Sequence, residues 1–168
     1  MAAIDLSEKN FTASHPPHII VRRVSLDEGD RFFSQPVSRP WKIQYIIANT
    51  GRGQATVFDG NATIIETSGH LPAIPPFDDE GNFLNTVELA AGQSTPHFLY
   101  LNQRDTVIFE SATMSSDGGS TPRKLVYLFG YVQYRDAIGI VRRTAFCRRF
   151  EPVSRRFVAV DDGDYEYN

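Results

Sequence analysis

Arginine is the residue whose clustering has chemical potential in this chain. Between residues 121 and 160 stand Arg123, Lys124, Arg135, Arg142, Arg143, Arg148, Arg149, Arg155 and Arg156, opposed only by Asp136 and Glu151. Tyr127, Tyr131, Tyr134 and Phe146 are interleaved with them. Guanidinium groups beside aromatic rings suit a polyanion, because the charges track a phosphate backbone while the rings stack on bases. Arg142, Arg143, Arg148 and Arg149, with Tyr131 and Tyr134, are therefore the candidate residues for binding nucleic acid or another polyanion. Two considerations weigh against that use. Consecutive residues of a strand point to opposite faces, so each Arg-Arg pair is split. Charge near a sheet edge also discourages pairing with another chain. The formal net charge of −3 gives the chain as a whole no attraction for nucleic acid or anionic membranes.

Other reactive groups point nowhere specific. His15 and His18 flank Pro16-Pro17, but a metal site needs three or four converging ligands and the prolines hold this stretch extended. Asp161-Asp162-Gly163-Asp164 lacks the twelve-residue pattern and bidentate glutamate of a calcium loop. No G-x-S-x-G motif occurs, and no serine or cysteine has a base placed beside it by sequence. Cys147, the single cysteine, has basic neighbours that favour a thiolate if it is exposed, yet its aromatic surroundings predict burial. Asp78-Asp79 sits in a long loop between Ser68 and Asn85, where paired carboxylates serve solubility first. The expectation is a noncatalytic domain with no cofactor and no bound metal.

The elements that must position these residues are strands. Lys124 to Phe150 reads as a long β-hairpin rich in Val, Ile, Tyr, Phe and Thr. It breaks at Asp136-Ala137-Ile138-Gly139, where Asp136 opens a turn and Gly139 closes it in the left-handed region. With Asp136 facing Ile140, the register sets Val132 opposite Thr144, Gly130 opposite Phe146 and Leu128 opposite Arg148. On the other face Phe129 meets Cys147 and Tyr131 meets Ala145. The doubled arginines predict that the second arm lies near an edge. Upstream, Trp41, Ile43, Tyr45 and Ile47 alternate onto one core face, and strands are predicted over 18–26, 54–67 (bent near Asp59-Gly60-Asn61), 86–89, 97–101, 105–110 and 156–160. A short helix is predicted before Pro16, with Asp5 and Glu8 as a capping box. At 168 residues with 41% hydrophobic content the chain is large enough for one core without disulfides. The expected fold is all-β, an antiparallel immunoglobulin-like sandwich, with a barrel as the alternative. Its parts are a helical linker (1–16), the β-domain (17–160) and a poorly ordered acidic tail (161–168).

Three stretches, FTASHPPHIIVRRV, WKIQYIIANTGRGQATV and FGYVQYRDAIGIVRRTAFCRRF, together resemble uncharacterised bacterial proteins in which an N-terminal membrane anchor leads into an immunoglobulin-like β domain. The resemblance rests on Asn49, Gly51 and Ala55, and on Gly130, Val132, Tyr134, Asp136, Gly139, Thr144, Phe146 and Cys147. It covers most of the chain and implies an interaction or scaffold domain of a membrane-anchored parent, with a protein partner or self-association. The anchor is absent here, so the chain as given is expected to be soluble, either a segment following the anchor or a soluble relative.

Overall fold

The computed structural model describes residues 15–27, 41–75, 85–114 and 124–167. The helix expected before Pro16 and the Asp78-Asp79 pair lie outside these. Eight antiparallel strands are described: β1 (Ile19–Asp27), β2 (Lys42–Asn49), β3 (Ala55–Thr67), β4 (Val87–Leu89), β5 (Ser94–Tyr100), β6 (Leu125–Asp136), β7 (Val141–Glu151) and β8 (Arg156–Ala159), with one helix, α1 (Gln103–Met114), between β5 and β6. Pairing runs through all of them in the order β4-β3-β6-β7-β8-β1-β2-β5. The fold is all-β and antiparallel as expected, and its eight described strands form one nearly closed, barrel-like sheet.

The hairpin is as its sequence predicts. β6 and β7 pair with Val132 opposite Thr144, Gly130 opposite Phe146 and Phe129 opposite Cys147. The Asp136 carboxylate accepts the N–H of Ile138 and Ile140, and Gly139 sits at φ 91°. β7 is interior rather than near an edge, because β8 pairs with Arg148–Glu151. Alternation gives β6 two buried faces: Val126, Leu128, Val132 and Tyr134 turn into the main core, while Tyr127 and Phe129 turn outward to a second cluster. Gly130 is required where β3 crosses β6, since a Cβ there would stand 2.0 Å from the Asn61 carbonyl oxygen. A bulge between Val57 and Asp59 bends β3 just before this crossing.

The span 105–110, expected as a strand, lies in α1. Its Thr-Val-Ile-Phe composition suits a strand, but the preceding residues form a reciprocal cap: the Asn102 side chain accepts the Asp105 N–H at 3.0 Å and the Asp105 carboxylate accepts the Asn102 N–H at 3.2 Å. Phe109 and Ala112, three residues apart, enter the core together. Phe109 meets Phe150 edge-on at 5.0 Å.

Asn49 closes the sheet. β4 and β5 are its two edges, joined by the short turn 90–93, and Asn49 at the end of β2 exchanges backbone bonds with Gly92 and Gln93 of that turn. Its side-chain NH₂ donates to Gly53 O and Leu89 O, and its Oδ1 accepts from the N–H of His18 and Gly51. A second buried polar group, the Thr144 hydroxyl, donates to Ile19 O at 2.8 Å and ties β7 to β1.

Residues 161–167, expected as a solvated tail, are instead docked on the outer face of β6 and β7. Tyr165 is 1% exposed, and Ala145 N–H donates to Tyr167 O. An acidic composition concealed one large ring and one carboxylate, Glu166, that pairs with Arg148.

Candidate functional site

The arginines of the hairpin do not gather into one stripe. The register puts Arg142 and Arg148 on the face of Tyr134 and Leu128, and Arg143 and Arg149 on the opposite face with Gln133 and Tyr127. Arg148 reaches round β7 to donate to Val21 O at 3.0 Å and to pair with Glu166. Burial pulls its pKa below the ordinary arginine value. Arg149 lies 3.4 Å from Glu151. The Arg143 guanidinium lies 3.7 Å over the Tyr131 ring, and Arg142 stands 3.7 Å from the buried Asp136 carboxylate. Tyr131 and Tyr134 are both 2% exposed, so neither presents a free face for stacking.

Of the six candidate residues the structure brings three together. Tyr134, Arg142 and Arg143 line a groove of about 420 Å³ with Pro16, Pro17 and His18. His18 Nδ1 is 2.9 Å from the Thr50 hydroxyl. Its ring is thus engaged in holding β1 to the end of β2. Among the described residues, no group of three or more His, Cys, Asp or Glu is placed to hold a metal ion.

A larger concavity escaped the sequence reading. A cleft of about 1040 Å³ lies between Ala62–Glu66 of β3, the end of β5 and the first turns of α1. β4 pairs with β3 only over Ala55–Val57, and β5 is the far edge of the sheet, so the cleft is the seam the barrel leaves open. Tyr100 and Val107, 65% and 55% exposed, stand on its rim. Glu66 lies in its wall: one carboxylate oxygen accepts from Lys124 at 3.0 Å, and the other is buried without a hydrogen-bond partner among the described residues. Reading 105–110 as a strand hid this site. The capping pattern Asn102-x-x-Asp105 was the signal that would have shown it.

No family model, curated protein or solved structure matches the chain.

Cys147 is fully buried, and burial pushes its thiol up to about 12. The native protein is therefore expected to resist thiol reagents at pH 8, with labelling only on unfolding. The folded state holds this proton more tightly than the unfolded chain does. Its contribution to stability is complete below the unfolded thiol pKa of roughly 8.5 and is lost as pH rises from there through the folded value. Cys147→Ala should flatten that part of the pH–stability curve. Rapid native-state labelling would contradict the buried thiol.

Proposed function

We propose that the chain is a noncatalytic interaction or scaffold domain, carried by a membrane-anchored bacterial parent and acting through a protein partner or self-association. The observation that carries this reading is the cleft between β3 and β5. The stretch of β3 beyond its pairing with β4 and the edge strand β5 border it, and exposed Tyr100 and Val107 stand on its rim. Backbone edges give affinity to an added segment, and an apolar rim gives it selectivity. By contrast, Arg148, Arg149 and Cys147 are engaged within the fold. The anchored, immunoglobulin-like kinship belongs to the same proposal and rests on the three sequence motifs. Among the described residues no helix is long and apolar enough to cross a membrane.

A photo-cross-linking residue in place of Val107 tests this in cells. Discrete protein adducts are expected at that position and not at Val153, which is 83% exposed and lies outside the cleft. Equal yields at the two positions, or none at either, would remove the cleft as the interaction site.

The second reading, polyanion binding, is favoured by one observation, the meeting of Arg142, Arg143 and His18 in a single groove. Salt-sensitive heparin binding that disappears in an Arg142→Ala, Arg143→Ala variant would support it over the first.

A further inference from the structure

The outer face of β6 and β7 carries an apolar cluster, Tyr127, Phe129 and Cys147, that the main core does not include. Residues 161–167 cover it in three distinct ways. The Tyr165 ring meets Phe129 edge-on at 6.3 Å, and its hydroxyl donates to Pro72 O at 2.5 Å, so both the apolar body and the polar tip are matched. The Glu166 carboxylate pairs with Arg148 and accepts the Cys147 N–H at 3.3 Å. Tyr167 adds a β-bridge at Ala145, beyond the reach of β8 along β7. An aromatic pocket, a charged partner and a stretch of strand edge are the parts by which domains recognise extended peptides.

The covering segment also carries a turn held by its own hydrogen bonds. Asp162 O accepts the N–H of Tyr165 and of Glu166, and the Asp162 carboxylate accepts the Asp164 N–H at 3.0 Å. A local turn of this kind lowers the ordering cost of binding, whether the segment arrives from its own chain or from another. The seat lies outside the main core, and the segment's covalent link to the sheet is at the end of β8. Exchange therefore requires no opening of the barrel.

We propose that this face is an exchangeable peptide-recognition site for an acidic Asp-Tyr-Glu-Tyr segment, held in cis by residues 161–167 and able to take the same segment from a second copy of the chain. Arg148 selects the acidic residue, the Phe129 pocket selects the preceding tyrosine, and Ala145 supplies the backbone pairing. A segment tethered this closely has a high effective concentration, so the cis occupant outcompetes dilute peptide until it is detached.

The test uses the full chain with Tyr165→Ala and Glu166→Ala, which detaches the resident segment, and a fluorescent peptide of the sequence DDGDYEYN. Saturable binding at least about tenfold tighter than to the unmodified chain is expected, because the tethered competitor has gone. A further Arg148→Ala change should weaken it. If the folded double variant binds no better than the unmodified chain, residues 161–167 are only a structural strap and the proposal is overturned. Should the double variant lack a cooperative melt, excess peptide decides the matter: a restored melt supports an exchangeable seat, and an unchanged profile rejects it. The milder Glu166→Gln chain gives an independent reading, since the peptide should bind it better than the unmodified chain, and equal binding counts against the proposal.

Discussion

Asn49→Ala is expected to lower stability by about 3–5 kcal/mol, because it orphans four backbone groups at once. The side chain is 1% exposed and satisfies all four of its hydrogen-bonding positions: two donations, to Gly53 O and Leu89 O, and two acceptances, from His18 N and Gly51 N. Water has poor access to the two carbonyls, so each keeps most of its desolvation cost once its partner is gone. The melting midpoint should fall by roughly 10 °C or more for a chain of this size. Asn49→Asp separates the hydrogen bonds from the volume. It keeps the shape and the acceptor but turns a negative charge toward two carbonyl oxygens, so it should be at least as damaging at pH 7. That variant's new carboxyl would be pushed upward in the folded state, so its deficit should shrink as pH falls and protonation restores a donor. A midpoint within about 1 kcal/mol of the parent for Asn49→Ala would show that the β4–β5 closure is held by other contacts.

The same residue shows what the sequence made legible and what it did not. Asn49 and Gly51 stood out as a turn signature, and the reason is visible in the fold: a Cβ on Gly51 would meet the His18 nitrogen at 2.4 Å, so only glycine lets the β1 lead pass. The hairpin register could be read because its turn residues and its alternation agree, and both are local. The edge position assigned to β7 failed because adjacent arginines read as exposure, whereas Arg148 finds its partners on β1 and in residues 161–167, far away in sequence. α1 was missed for a related reason. Its β-branched and aromatic residues favour a strand by propensity, and the cap at Asn102 together with the docking of Phe109 against Phe150 overrides that preference. The docked segment 161–167 could not be seen at all, since its ordering depends on a pocket assembled from β3, β6, β7 and Pro72. Of the candidate site, sequence supplied the arginines, but it could not show that only Arg142 and Arg143 would share a groove, or that the larger cleft would open beside α1.

Phe146→Ala should cost about 3–5 kcal/mol, the range for removing a buried phenylalanine side chain from a core that cannot fully collapse. Phe146 is 2% exposed, lies opposite Gly130 on β6 and approaches the Tyr45 ring of β2 at 5.7 Å. It thus bridges two strands that are three places apart in the sheet order, which makes it a contact across the barrel and not along it. Relaxation by inward movement of β6 is blocked, because Gly130 already brings the β6 backbone against Asn61 and Ala62 of β3. Nor can Gly130 supply the missing volume, having no side chain. The cavity should therefore persist, and the loss should sit toward the upper part of the range. Phe146→Leu, which keeps most of the apolar volume, should recover more than half of it. Denaturant melts of the three proteins measure this directly: equal midpoints for parent and Phe146→Ala would mean that the ring does not span the core, while equal losses for the Ala and Leu variants would mean that ring shape, not volume, is what the β2–β7 contact requires.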